Sequence, residues 1–201
     1  MITRTTCDKH FQALAHDNPF RRLFVPPRRL VGPYVRAGQT AADLGCGPGY
    51  YTLALADLVG PEGKVYAVDS DERVIKVLER KADGHGCRNI DMRTSSACDL
   101  SFIGDAAVDF VLAHGLLCSM APKDHVSAVS EIKRILKPTG LAYLSVAKGV
   151  ISYVSRAEWE RILQGFRIVR RDSSSPASAN RWALVSNQNN PAASSRTDPG
   201  N

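Results

Sequence analysis

A short glycine-rich segment between a predicted strand and a predicted helix carries the residues best suited to chemistry. It contains Gly45, Gly47 and Gly49 at alternate positions, and Asp43 stands just before it. Glycines remove side chains from a turn, so backbone N–H groups can approach a bound ligand closely. Asp69 lies at the end of the next predicted strand, where a carboxylate can accept hydrogen bonds from both hydroxyls of a ribose. Together these residues predict a nucleoside site.

The spacing of the glycines indicates which nucleoside is bound. A dinucleotide-binding turn has the pattern G-x-G-x-x-G, which admits a pyrophosphate, whereas this sequence has G-x-G-x-G. The carboxylate of Asp43 would repel a pyrophosphate but attract a cation, such as the ammonium of an amino-acid tail. A nucleoside with such a tail is S-adenosylmethionine. The same spacing argues strongly against an NAD-binding oxidoreductase.

Four segments resemble the class I S-adenosylmethionine-dependent methyltransferases, particularly the small single-domain "methyltransferase type 11" kind. They are DLGCGPG at 43–49, YAVD at 66–69, AVDFV at 107–111 and IKRILKPTG at 132–140. The resemblance covers roughly residues 38–186. It implies an α/β fold, namely a Rossmann-like three-layer sandwich with a seven-stranded, mostly parallel sheet whose last strand is antiparallel. It also implies methyl transfer with S-adenosylmethionine as the cofactor.

The resemblance assigns the glycine-rich segment to the methionine end of the cofactor. Asp43, Gly45, Cys46 and Gly47 would hold that end, and Gly49 would open the following helix. Because Cys46 occupies a slot for a small residue, we expect its thiol to be inert. No metal site is expected, since the methyl group of this cofactor is already activated.

Residues after the next three predicted strands complete the implied site. Asp69 would bind the ribose hydroxyls, and Ser70 would lie beside the adenine. Ser96 and Ala97 map to the adenine contacts, although Ser96 replaces the aspartate that the family has there. His114 falls where family members line the methyl-transfer pocket, and it could act as a general base, position the acceptor or be structural. The sequence assigns no catalytic residue.

The methyl acceptor has to be inferred from the segments outside the core. No insertion between the fifth and sixth strands is long enough to form a lid, which leaves residues 1–39 as a helical cap and favours a small-molecule acceptor. Residues 1–40 hold seven Lys and Arg against two Asp, so an RNA or ribosomal acceptor is the second candidate. A catalytically silent cofactor-binding protein is the third. The oligomeric state is left open.

Hydrophobic periodicity predicts the elements that position these residues. Strands are expected at 40–44, 64–69, 90–94, 107–114 and 140–147, followed by a hairpin at 166–171 and 181–185. Helices are expected at 50–59, 71–82, 123–136 and 156–164, the last with a capping box at Ser155 and Glu158. The domain is expected to span 40–186, and residues 187–201 lack an apolar anchor and predict a disordered tail.

Composition agrees with a compact domain. The 201 residues are 44% hydrophobic and 23% charged, close to globular averages. There is no apolar run long enough to span a membrane. The five cysteines have no C-x-x-C spacing, and the first residues lack the apolar stretch of a signal peptide, so a cytoplasmic location with reduced thiols is expected.

Overall fold

A seven-stranded sheet forms the centre of the computed structural model, which describes residues 26–147, 154–172 and 180–187. Its strand order is β3-β2-β1-β4-β5-β7-β6, and β7 runs antiparallel to both of its neighbours. This confirms the predicted fold class. The strands are β1 Thr40–Leu44, β2 Lys64–Asp69, β3 Ile90–Thr94, β4 Val108–His114, β5 Leu136–Ala147, β6 Phe166–Arg171 and β7 Asn180–Asn187.

Helices cover both faces of the sheet and complete three layers. The first three helices pack on one face, and the last two pack on the other. The helices are α1 Pro27–Val31, α2 Thr52–Val59, α3 Glu72–Gly84, α4 His125–Ile135 and α5 Arg156–Leu163. Short 3-10 turns lie at Gly32–Tyr34, Leu117–Ser119 and Pro122–Asp124. No helix in the part of the chain that the structure describes is long and apolar enough to cross a membrane.

The position of the site follows from the strand order. The chain leaves β1 toward β2 and β3 on one side, and later returns to place β4 on the other side of β1. Ligands of such sheets bind where the order reverses, at the carboxyl ends of the strands. β1 and β4 are also deeply buried, because helices cover both of their faces. Residues that follow these two strands are therefore held on a rigid base.

Two helices begin with a side-chain cap, and the cap at Ser155 was predicted. Asp71 caps α3 by accepting a hydrogen bond from the backbone N–H of Arg73 at 2.9 Å. Ser155 caps α5 by accepting one from the backbone N–H of Glu158 at 3.1 Å. The second half of the predicted capping box does not form, because the Glu158 carboxylate bonds the side chains of His125 and Arg161 instead.

The start of β5 differs from the prediction. We expected a helix to Leu136, a turn over 137–140 and a strand from Gly140, whereas the strand begins at Leu136. Leu136 pairs with Val108 and Leu141 pairs with Phe110, so the intervening residues bulge out of the ladder. Gly140 is required there, because a Cβ would lie 3.0 Å from the Val108 carbonyl oxygen. The backbone does require a glycine at position 140, but the pairing of β5 with β4 extends the strand through this residue.

The chain ends fall largely outside the described residues. Of the predicted cap, residues 1–25 lie outside them, whereas α1 packs beside α2 and its Arg28 pairs with Asp57. The tail was expected from residue 187, but Asn187 ends β7, and its side-chain amide donates to the carbonyls of Lys133 and Leu136 at 3.2 and 3.0 Å. The rest of that tail, residues 188–201, lies outside the described part.

Candidate cofactor site

A cavity of about 480 Å³ opens at the carboxyl ends of β1, β2 and β4. Its volume lies within the range typical of small-molecule sites. It brings together most of the residues that the sequence assigned to the cofactor, which come from four separate loops. Those predicted residues on its wall are Gly45, Cys46, Gly47, Asp69, Ser70, Ser96, Ala97 and His114.

The glycine-rich turn forms one wall, and its backbone donors are already used. Gly45 and Cys46 both donate to the Val68 carbonyl, at 2.8 and 3.1 Å, and Gly49 donates to the Cys46 carbonyl. Gly47 donates to a carboxylate oxygen of Asp69 at 2.9 Å. This differs from the expectation that these N–H groups face the ligand, because each of them bonds within the protein. The turn supplies shape, and it has no spare donor at these positions for a pyrophosphate.

The Asp69 carboxylate joins β2 to the glycine-rich turn. Oδ2 accepts the Gly47 N–H, and Oδ1 accepts the backbone N–H of Asp71 at 3.0 Å. A carboxylate has about four acceptor positions, so both oxygens retain capacity to accept the hydroxyls of a ribose. Since Asp69 lies on the cavity wall, these residues fit the nucleoside end of S-adenosylmethionine.

Asp43 and Gly49 are placed differently from the other predicted residues, since neither lies on the cavity wall. Gly49 faces Leu78 of α3. The Asp43 side chain is 3% exposed and lies behind the glycine-rich turn, where Oδ2 accepts a hydrogen bond from the Thr52 hydroxyl at 2.6 Å. Burial raises the pKa of Asp43 to about 7, with a further increase from the nearby Asp69 charge, whereas the Thr52 bond lowers it. Asp43 therefore does not contact a bound ammonium directly, and any electrostatic attraction between them acts across the glycine-rich turn.

We expect the free energy of unfolding to fall as the pH rises from about 4 to about 7, because of Asp43. In this range the folded state keeps the Asp43 proton and the unfolded state loses it, so the folded state binds more protons. A pKa of about 7 against 3.8 corresponds to about 4 kcal/mol at most. Urea unfolding at several pH values measures the slope. Asp43→Asn should flatten it, and an unchanged slope in that variant would contradict the assignment.

Ser70, Ser96 and Ala97, which the resemblance assigns to adenine, lie together on the cavity wall. The hydroxyl of Ser96 accepts a hydrogen bond from the backbone N–H of Cys98 at 3.1 Å. Ser96 therefore stabilises its own loop, in the position where the family has an aspartate. Asp99 does not take over that position, because it does not border the cavity. Its carboxylate accepts a hydrogen bond from the N–H of Ser101 at 3.2 Å.

His114 ends β4 within a column of aromatic rings. Its ring centroid lies 4.9 Å from that of Tyr51 and 6.3 Å from that of Tyr143, and the Tyr143 ring is nearly parallel to it. Trp182 stacks on Tyr143 at 5.6 Å. Burial raises the pKa of the Tyr143 phenol, so that group stays neutral. The imidazole lies on the cavity wall and is held in orientation by its neighbours.

Sequence reasoning missed the wall that follows β4. Gly115, Leu116, Ser119, Met120 and Asp124 all border the cavity. They had no motif to mark them, although His114 pointed to their segment of the chain. Further residues on the wall are Tyr50, Tyr51, Asp71, Val74 and Ser95.

Cys46 lies on the cavity wall as a buried thiol. Burial raises its pKa well above the ordinary value, and the nearby Asp43 and Asp69 charges raise it further, which keeps the sulfur protonated and agrees with the expectation of an inert residue. Within the described ranges, no group of three or more His, Cys, Asp and Glu side chains is arranged to hold a metal ion.

Sequence comparison relates half of the chain to known enzymes. Residues 41–140 match a methyltransferase domain family. A demethylmenaquinone methyltransferase from Geobacillus stearothermophilus is 37% identical over 107 residues, which are 53% of this chain and 44% of that protein. A demethylmenaquinone methyltransferase from Lactobacillus johnsonii is 30% identical over 155 residues, which are 77% of this chain and 60% of that protein. The chain thus spans about half the length of these curated relatives.

Structural comparison extends the similarity beyond the matched domain. The crystal structure of a SAM-dependent methyltransferase from Aquifex aeolicus superimposes with a TM-score of 0.72 at 24% identity, covering 87% of this chain and 97% of that one. At this identity the superposition establishes the shared fold. The domain match and the motifs around the cavity, rather than the superposition, identify the family. In sequence and in fold, the chain belongs to the class I S-adenosylmethionine-dependent methyltransferases.

Proposed function

We propose that this chain transfers a methyl group from S-adenosylmethionine to a small-molecule acceptor, with hydroxylated aromatic rings as the first class to test. The observation that carries the proposal is a cavity whose wall includes both the anchored carboxylate of Asp69 and the imidazole of His114. The names of the curated relatives support an acceptor of the demethylmenaquinone kind. Tyr50 and Tyr51 on the same wall suit a planar ring.

Each residue of the cavity has a limited task in this reaction. When bound, S-adenosylmethionine supplies a methyl group on a positively charged sulfur, which an acceptor nucleophile can take by in-line displacement. Asp69 would hold the ribose hydroxyls, and Ser70 and Ala97 would border the adenine. The chain then contributes mainly alignment of the two reactants and exclusion of water.

His114 is the residue we propose to receive the acceptor proton. Its ring is held between Tyr51 and Tyr143, so its orientation is set before the acceptor arrives. A neutral imidazole has one ring nitrogen that can accept a proton, which suits a general base. The neutral Tyr143 phenol behind it does not compete for this proton, because burial raises the pKa of that group.

Methyl transfer from radiolabelled S-adenosylmethionine tests the acceptor class. We expect label in the low-mass organic fraction when the protein is supplied with reduced, dihydroxylated demethylmenaquinone analogues or simpler hydroxylated aromatic compounds. Label that appears only in added RNA would support the RNA methyltransferase alternative and overturn the small-molecule proposal. Tight binding of S-adenosylhomocysteine without transfer to either class would favour a catalytically silent protein.

Replacing His114 by phenylalanine separates proton transfer from cofactor binding. The phenyl ring of this variant would keep the contacts with Tyr51 and Tyr143 but remove the proton acceptor. We expect the affinity for S-adenosylhomocysteine to stay within about threefold and the transfer rate to fall by about 100-fold or more. Met120→Leu, which changes the same wall conservatively, should retain the rate. A fully active His114→Phe variant would show that His114 is not the base.

A further inference from the structure

The wall that follows β4 is a loop that packs against the glycine-rich turn. It consists of residues 115–121, called here the β4 loop, and it includes one 3-10 turn at Leu117–Ser119. The Leu116 side chain lies against the glycine-rich turn, since a Cβ on Gly45 would be 3.1 Å from Leu116 Cδ1. A shift of the β4 loop would therefore also displace the glycine-rich turn, and so change two walls of the cavity.

Local hydrogen bonds hold the two ends of this loop. The Gly115 N–H donates to the Ser145 carbonyl at 3.0 Å, which fixes the loop to β5. The Ser119 N–H and hydroxyl both donate to the Leu116 carbonyl, at 3.0 and 2.7 Å. The carbonyl between them, that of Leu117, has a partner from outside the loop.

That partner is His125, the first residue of α4. Its side chain is 1% exposed, and Nε2 lies 2.8 Å from the Leu117 carbonyl oxygen. Nδ1 lies 3.3 Å from Oε1 of Glu158 on α5. A carbonyl oxygen only accepts, so Nε2 must carry a proton. The ring thus bridges the β4 loop and α5, although it does not line the cavity itself.

We infer that His125 is a positioning residue for the cofactor, because its Nε2–H holds the Leu117 carbonyl and thereby sets the β4 loop against the glycine-rich turn. This inference rests on the proposed cofactor site. Without the donor, the Leu117 carbonyl is left buried and unpaired, a condition that favours a rearranged loop. The Glu158 carboxylate holds the other side of the ring and sets its orientation.

Three variants test the inference by two readouts that do not depend on activity. His125→Leu removes the donor, whereas His125→Gln places an amide N–H near the position of Nε2. Val129→Ala is the matched control, because Val129 is buried one turn further along α4. Among the hydrogen bonds of the described residues, none joins Val129 to the Leu117 carbonyl. The readouts are the affinity for S-adenosylhomocysteine and amide hydrogen exchange in the β4 loop of the ligand-free protein.

We expect His125→Leu to weaken S-adenosylhomocysteine binding by about tenfold or more and to accelerate exchange at Leu117–Ser119. His125→Gln should restore most of both properties, and Val129→Ala should change neither at temperatures where all the variants are folded. Equal losses in His125→Leu and Val129→Ala, or no recovery in His125→Gln, would overturn the inference. If the wild-type protein does not bind S-adenosylhomocysteine, the proposed function fails. The hydrogen-exchange data then still test whether His125 holds the Leu117 carbonyl.

Discussion

Replacing Asp69 by alanine is expected to weaken the binding of S-adenosylmethionine and S-adenosylhomocysteine by about 100-fold or more. Hydrogen bonds to a charged group contribute about 1.5–3 kcal/mol each, and two ribose hydroxyls lost together amount to at least about 3 kcal/mol, or roughly 100-fold in affinity. The variant also releases the Gly47 N–H, which Asp69 holds at 2.9 Å. Calorimetric titration of the wild type and the variant with both ligands measures the change.

A carboxylate on the neighbouring strand provides the control. Asp91 on β3 pairs with Lys64 at 3.0 Å and with Arg93 at 2.7 Å, away from the cavity. Asp91→Ala removes a carboxylate of the same size and should leave both affinities unchanged. Equal binding by wild type and Asp69→Ala would place the ribose elsewhere and contradict the site.

Titration with NAD completes this test. The backbone N–H groups of Gly45, Cys46 and Gly47 already donate within the protein, so the turn offers a pyrophosphate no donor at these positions. We therefore expect no measurable binding of NAD at concentrations that saturate with S-adenosylhomocysteine. Comparable binding of NAD would argue against a site built for a cationic amino-acid tail.

The second large effect is expected on stability, from Gly49→Ala. Gly49 has a φ of +87°, and a Cβ there would lie 2.3 Å from Cδ1 of the fully buried Leu78 on α3. The left-handed conformation costs about 1–2 kcal/mol for a residue with a Cβ, and overpacking adds about 1–3 kcal/mol. The free energy of unfolding should therefore fall by about 2–5 kcal/mol, as measured by urea titration.

Gly38→Ala separates the two contributions. Gly38, just before β1, has a φ of +78°, and no atom lies within 4 Å of a Cβ built there. This variant should show the conformational cost alone, about 1–2 kcal/mol. The difference between the two variants then measures the contact with Leu78. If both lose the same amount, the close packing of the turn against α3 has no energetic consequence.

Elements bounded by strong local signals were predicted well. β1, β2 and β3 have the bounds expected from their apolar runs, since a glycine lies shortly before each strand and a glycine or serine follows directly after it. The start of β5 was wrong, because Gly140 in a sequence reads as a turn, whereas pairing of Leu136 with Val108 draws the segment into the ladder. The capping box was half right, because a distant partner, His125, takes the Glu158 carboxylate.

The parts of the site that depend on local sequence pattern could be predicted without the structure. A glycine-rich turn after one strand and an acidic residue after the next bring Gly47 and Asp69 together, because parallel neighbouring strands end at the same edge of a sheet. The family, the fold and the cofactor follow from this local pattern.

What lies between those residues depends on the tertiary structure. The bonds from Cys46 to Val68, from Gly47 to Asp69 and from His125 to Glu158 join residues 22 to 33 positions apart in the chain. The burial of Asp43 and the wall after β4 likewise depend on how the elements pack. Hydrogen-bond partners at such separations are chosen by the packing of helices on the sheet, and no periodicity or spacing records that choice.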